Sequence, residues 1–309
     1  EAKSVNCWPS VNFDIGAINN FFSLFFAAGF YYKTFIGLPP FEWGQGTSIW
    51  MIYEKFIRKA AGMGKASNRP DPDVYEHSND FCDVLVIGSG PSGIAAAIEA
   101  SKKNLDVILV EQDHIIGGNR VLDQDYDQNK CLETLINSGV RIMKRTTAFG
   151  LYDNTVVGLL EKVNDHIFVS EDNTPRQRFW TIRAKQVILA TGSIERHIAF
   201  NNNDTPGIMT ANSALHYLNR YGVLVGEKIV ISTNNDSVYS TAMQLSKAGA
   251  KVNILDARKE ISDDIILESE QNGVQIDLGK FPYSVNGSRS VQNLEIAEYN
   301  EDKYEKISE

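Results

Sequence analysis

Between Cys82 and Glu111 the apolar positions of this chain come in short unbroken runs, Val84 to Ile87 and Val107 to Val110, each closed off by small or charged residues. Runs of this length, rich in β-branched residues, predict strands buried on both faces, as in a parallel sheet. The small-residue stretch between them, opening near Gly93, predicts a helix. The same strand–helix–strand outline returns at Lys228 to Ser232, Tyr239 to Ala248 and Val252 to Asp256. Between the two outlines, Cys131, Leu132, Leu135 and Ile136 mark a helix that stops at Gly139, and Val140 to Met143 a short strand. Segments around Val156 to Leu160, Ile167 to Val169 and Phe179 to Ile182 predict antiparallel strands, with a turn at Asp172 to Pro175. The run from Ala184 predicts one more buried strand, ending on Thr191-Gly192.

The first 65 or so residues follow neither pattern. Phe21 to Ile36 is dense in aromatic residues, yet Gly29 and Lys33 interrupt it and it is too short for a membrane span. It predicts either a segment packed onto the core or one that meets another subunit. Glu42 to Lys65 carries Trp50, Ile52, Tyr53, Phe56, Ile57 and Ala60 at helical spacing, with Gly62 and Gly64 as the stop. Lys65 to Asp80 is polar and holds two prolines, which predicts a linker. The division that follows is an arm and linker over 1–80, a first nucleotide-binding domain over 81–222 and a second, degenerate one over 223–309.

The chemistry lies in the turn after the first strand, Gly88-Ser-Gly90-Pro91-Ser92-Gly93. Gly88 permits the tight turn, Gly90 lets backbone approach a pyrophosphate, and Gly93 lets helix and strand pack closely. The helix N-terminus then offers unpaired N–H groups and a positive dipole end to phosphate. Glu111, with Gln112 beside it, ends the second strand where an acid binds a ribose hydroxyl. Strand, glycine turn, helix and acid together predict an ADP-binding βαβ unit. In the second outline Thr233-Asn-Asn-Asp236-Ser237 replaces the glycines, and such residues cap a helix internally. Asp236 would also set negative charge where pyrophosphate must sit. That unit reads as structural.

Composition narrows the class. The 309 residues are 43% hydrophobic, enough for a sizeable core in two domains, and the net charge is −9 with no Lys/Arg run, so a nucleic-acid role gets no support. Three cysteines without a C-x-x-C pair argue against a disulfide scaffold or a redox dithiol and fit a reducing, cytoplasmic compartment. Five scattered histidines show no metal-ligand spacing. The chain opens on Glu1 with no recognisable signal peptide, and it reads as a piece of a longer polypeptide.

The Ala190-Thr191-Gly192 strand end, after a G-x-G-x-x-G unit, the acid and Gly117-Gly118, resembles the flavoproteins with two dinucleotide-binding domains, the glutathione and thioredoxin reductase type. A more specific resemblance covers essentially the whole chain. Cys7 to Asp14, Ala28 to Phe35, Arg145 to Gly150, Pro175 to Arg178, Tyr217 to Gly222 and Thr233 to Ser237 are similar to the alpha subunit of heterotetrameric sarcosine oxidase. That resemblance implies oxidative demethylation of sarcosine to glycine, with beta, gamma and delta partner subunits and no membrane. It implies NAD in the first site, held by Gly88, Gly90, Pro91, Ser92 and Gly93, with Glu111 on the ribose and Gln112, Gly118, Thr191 and Gly192 lining it. FAD is the alternative there, while FMN and a further FAD belong to the partner subunit or interface. No catalytic acid or base can be named. Lys33 is a candidate flavin neighbour or a solvated lysine. Two other readings stay open, a self-contained FAD-dependent NAD(P)H reductase and a non-catalytic nucleotide-binding module.

Overall fold

A computed structural model describes residues 13–21, 70–123, 125–167, 174–287, 290–300 and 303–307. The aromatic stretch beyond residue 21 and the helix expected over 42–65 lie outside the described residues. The chain divides into two compact units, Glu1–Pro72 and Asp73–Glu309. In the first, a 3-10 turn Ile15–Ala17 runs into the short helix Ile18–Phe21.

The second unit begins with β1 (Tyr75–Ile87), α1 (Pro91–Ser101), β2 (Val107–Val110), α2 (Gln128–Asn137) and β3 (Arg141–Met143). The three strands pair in parallel, Ile87 beside Val110 and Val110 beside Met143. An antiparallel excursion follows through β4 (Thr146–Tyr152) and β5 (Val156–Lys162), and β6 (Gln177–Leu189) returns parallel to β1. The order of this six-stranded sheet is β3-β2-β1-β6-β5-β4.

Val84, Val86, Val107 and Leu109 pack with Ala97 and Leu135 from the two helices in one core. Leu85, Ile108 and Val110 pack with Val157, Leu159 and Ile182 of the excursion in another. Burial on both faces is what the unbroken apolar runs require. Asp127 caps α2 by accepting from the backbone N–H of Asn129 and Lys130, at 3.0 and 3.1 Å.

Two strands are longer than their apolar pattern. β1 starts at Tyr75, inside the stretch read as linker, and β6 joins what was expected as two strands into one of 13 residues. Their polar halves pair in register and are held by charge. Arg178 meets Glu76 across the β1–β6 ladder at 2.8 Å and Glu161 of β5 at 3.1 Å, and its guanidinium lies over the Trp180 ring. Ile167, expected in a strand, lies outside one.

Next come α3 (Ala211–Tyr221), β7 (Lys228–Thr233), α4 (Tyr239–Lys247), β8 (Lys251–Asp256), α5 (Asp263–Gln271) and β9 (Val274–Leu278), with the strands parallel in the order β7-β8-β9. This second βαβ unit has its own core, including Ile231, Ala242, Leu245, Val252 and Ile254, into which α3 sends Ala214. An antiparallel sheet of β10 (Lys280–Asn286), β11 (Asn293–Asn300) and β12 (Lys303–Ile307) follows. The charged, sparsely apolar composition from Glu295 onward gave no sign of those last strands. Among the described residues no helix is long and apolar enough to cross a membrane.

Candidate functional site

Three loops converge at the C-terminal end of the parallel strands, where ligands bind in open α/β sheets. They are the glycine turn after β1, the Glu111–Gly118 loop after β2 and the Thr191–Gly192 turn after β6. Gly88 has φ +103°, a left-handed value that glycine tolerates, and a Cβ there would overlap the carbonyl oxygen of Ala190. A Cβ on Gly93 would overlap the carbonyl oxygen of Gly88, so this glycine sets how closely α1 sits on β1. Gly90 differs from both. Its φ of −66° and ψ of 176° suit any residue, and a Cβ built on it meets nothing within 4 Å. The absence of a side chain leaves open space directly in front of α1.

α1 begins there without a cap. Gly90 offers no side-chain acceptor, and Pro91 at the first position has no N–H to satisfy. The helix therefore presents the unpaired N–H groups and positive dipole end of its first turn to that space. Gly118 closes the opposite side, where a Cβ would come within 2.9 Å of the Gly90 Cα.

Glu111 is buried and directed back into the site. Its Oε2 accepts from the backbone N–H of Ser89 at 3.0 Å and from the Ser89 hydroxyl at 2.5 Å, while Oε1 accepts from the Asp113 N–H at 2.8 Å. A carboxylate has about four lone-pair sites, so one remains for a further donor such as a ribose hydroxyl. The Ser89 hydroxyl and carbonyl both accept from Gly117 N–H, at 3.1 and 3.0 Å. Ser89, fully buried, thus ties the glycine turn, the acid and the Gly117-Gly118 loop together. Sequence reasoning missed this role, because a serine between two glycines carries no spacing signal.

The remaining expected residues lie on the same three loops. Pro91, Ser92, Gln112, Gly118, Thr191 and Gly192 are exposed on the three loops that end these strands, with the Ala190 N–H hydrogen-bonded to the Ile87 carbonyl at 2.8 Å. The residues present therefore fit a dinucleotide: an uncapped helix start, a glycine where phosphate needs room, and a buried acid with a free acceptor site. Among the described residues no group of three or more His, Cys, Asp or Glu could hold a metal ion. Burial pushes the Cys82 thiol up to about 11, which removes it as a thiolate near neutral pH.

A second feature unseen in the sequence braces the loop after β2. Arg220, at the end of α3, donates to both carboxylate oxygens of Asp113 at 2.6 and 2.9 Å. The neighbouring Asn219 donates to the Leu122 carbonyl at 2.6 Å and to Gln244 of α4 at 2.7 Å. Hydrogen bonds from Arg220, partly opposed by burial, hold the Asp113 carboxyl well below the usual range. A depressed carboxyl contributes stability above its unfolded pKa and loses it as pH falls through the folded value. Asp113→Asn should therefore melt below the native chain at pH ~7, and the gap should begin to narrow only below pH ~4 and shrink progressively as the pH falls further. Thermal melts across that range test this; a gap independent of pH would show that the pair works by shape and not by charge.

The pyridine nucleotide-disulphide oxidoreductase family matches residues 82–307. The chain belongs to this family. Within this oxidoreductase family it is 44% identical, over 269 residues, to the sarcosine oxidase alpha subunit of Rhizobium meliloti (strain 1021), covering 84% of the chain and 26% of the relative. With the corresponding sarcosine oxidase polypeptide of Corynebacterium sp. (strain U-96) it shares 38% identity over 65% of the chain and 22% of the relative. The chain thus spans about a quarter of the length of these curated relatives. Among solved structures, the thioredoxin reductases of T. acidophilum (TM-score 0.52, 12% identity, 74% of each chain) and Lactococcus lactis (TM-score 0.51, 17% identity, 73% and 74%) share the fold. The expected glutathione/thioredoxin reductase type of architecture is the one found, and the expected likeness to sarcosine oxidase alpha subunits holds.

Proposed function

We propose that this chain is the dinucleotide-binding part of the alpha subunit of a sarcosine oxidase-type complex, with NAD in the first βαβ unit. The observation that carries the reading is the space in front of Gly90, bounded by the uncapped start of α1 and overlooked by the buried Glu111. Ser92 and Gly93 would offer backbone N–H groups to the pyrophosphate and Glu111 its remaining acceptor site to the ribose. Gly118, Gln112, Thr191 and Gly192 would line the path. A dinucleotide held there supplies hydride-transfer capacity; the chain's own residues bind and orient it.

The reaction of such a complex is oxidation of a small amine, demethylation of sarcosine to glycine, with the amine-oxidising flavin on a partner. Beta, gamma and delta subunits, FMN at an interface and a cytoplasmic location complete the proposal. The likeness to sarcosine oxidase alpha subunits supports it. A second reading, the equivalent part of another amino-acid-oxidising complex, is favoured by 31% identity to an opine oxidase subunit of Rhizobium meliloti over 57% of the chain. Co-purification of the full-length polypeptide with its neighbours, followed by extraction and identification of its cofactors, tests both. NAD released from this chain supports the assignment, whereas FAD released from it would overturn NAD in favour of the flavin.

Glu111 also predicts a preference between cofactors. A carboxylate accepts from a ribose 2′-hydroxyl and repels a 2′-phosphate. NADP should bind at least about tenfold more weakly than NAD, since like charges at contact distance cost more than ~1.4 kcal/mol near a protein surface. Competitive titration of the complex measures the ratio, and equal affinities would remove Glu111 from the ribose.

A further inference from the structure

The two βαβ units can be laid over each other residue by residue. Ile87 pairs with Val110, which brings Gly88 level with Glu111; in the second unit Thr233 pairs with Asp256. Each acid therefore stands beside the first residue of its turn. Counting on from there, Asn235 occupies the place of Gly90, Asp236 that of Pro91 and Val238 that of Gly93.

The substitutions have physical consequences. Even a Cβ at Gly93 would overlap the preceding turn, so a valine at its counterpart cannot start a helix pressed against the strand. The turn instead forms a 3-10 segment, Asp236–Val238, and α4 begins only at Tyr239. The side chain of Asn235 accepts from the Ser237 N–H at 3.0 Å, a donor that a phosphate would otherwise take.

The acid is occupied as well. Asp256 is fully buried and accepts from Arg258 Nε at 3.0 Å, Arg258 Nη2 at 2.7 Å, the Arg258 N–H at 2.9 Å and the Tyr239 hydroxyl at 2.8 Å. Paired donors spanning both carboxylate oxygens are what the neighbouring hydroxyls of a ribose would present. The third nitrogen, Arg258 Nη1, reaches Asp236 Oδ1 at 2.8 Å, so a carboxylate stands where pyrophosphate would lie. Burial tends to raise the Asp256 carboxyl, and the Arg258 hydrogen bonds overcome it and hold the group below its ordinary value.

We propose that Arg258 and Asp236 fill the second unit's cleft from within, in the places of ribose and pyrophosphate, so that this unit takes no dinucleotide. The chain then carries one dinucleotide at most, in the first unit, and no nicotinamide nucleotide can enter the second to reduce a flavin in the first. This deepens the function proposed above, resting on the first site only for that single equivalent, and it tells against a self-contained reductase.

The test uses the full-length chain in its complex, saturated in turn with NADH and NADPH. Binding stoichiometry is read by calorimetry, and the labelling rate of Arg258 by phenylglyoxal is read by mass spectrometry of its peptide. The expected result is at most one equivalent and an unchanged Arg258 labelling rate. Protection of Arg258, or a second equivalent lost in Asp256→Asn, would overturn the proposal. No bound dinucleotide with unchanged labelling would sink the first-site reading and leave this one supported. Arg258→Ala should lower the melting temperature most near neutral pH and progressively less in acid, as the uncompensated Asp256 takes up a proton. Melting like that of the native chain at every pH would overturn the internal lock.

Discussion

Gly90→Val is expected to abolish dinucleotide binding and to leave the fold standing. The backbone at Gly90 already has angles that valine adopts, and a Cβ there has no atom within 4 Å beyond its own chain neighbours. The first atom of the new side chain therefore meets no packed neighbour. What the isopropyl group displaces is the ligand, because the pyrophosphate must lie against this backbone to reach the first-turn N–H groups. Each hydrogen bond to a charged group is worth about 1.5–3 kcal/mol. Losing two costs about 3–6 kcal/mol, a fall in affinity of at least about 100-fold. Calorimetric titration alongside a thermal melt gives both halves of the result. A variant that still binds dinucleotide would move the site elsewhere, and one that unfolds would show that Gly90 serves packing.

Gly93→Val should do the reverse, lowering the stability of the fold and weakening binding as a consequence. Its side chain would be driven into the carbonyl oxygen of Gly88 and towards the side chain of Ala190, 3.2 Å from the position of a Cβ. Neither can yield easily. The carbonyl belongs to a turn already at φ +103°, and Ala190 is held by its backbone bond to Ile87. Overpacking of a rigid contact costs about 3 kcal/mol or more. That corresponds to a drop of roughly 6–12 °C in melting temperature for a domain of this size. Circular dichroism melts of both variants side by side make the comparison direct. Equal stability of the two would mean that α1 can shift off β1, contrary to the contact described.

The pair shows how differently three glycines in one motif can act. Spacing alone assigned them separate tasks, and the surroundings of Gly88 and Gly93 bear out a tight turn and a close helix–strand contact. For Gly90 the structure offers open space, which is the condition its assigned task needs.

Much of the architecture was legible from local pattern because its cause is local. Val84 to Ile87 and Val107 to Val110 are apolar on both faces, and a strand buried on both faces needs just that composition, so their position in a parallel sheet followed from the residues themselves. The helix of Cys131 and Leu135, the stop at Gly139 and the second strand–helix–strand outline could be read for the same reason. The polar start of β1 could not. Tyr75 to Asp80 has no apolar periodicity, and it is a strand because Arg178 and the backbone of β6 pair with it from about a hundred residues away. β11 and β12 are likewise strands by antiparallel pairing, with charged residues that signal nothing alone.

The site divides along the same line. The glycine turn and Glu111 announce themselves through spacing, which reflects the fixed geometry of one βαβ unit. The roles of Ser89, the Arg220–Asp113 brace and the Arg258–Asp256–Tyr239 cluster depend on which side chains the fold brings within hydrogen-bond distance. In the second unit, sequence alone placed internal capping on the Thr233–Ser237 segment and excess negative charge on Asp236. The structure gives the cap to Asn235 and pairs Asp236 with Arg258. Local sequence determined the βαβ outlines and the residues able to meet a dinucleotide, because turn, strand and helix preferences act over a few residues. Tertiary structure alone decided which acids stay available, because that depends on donors the fold brings to them.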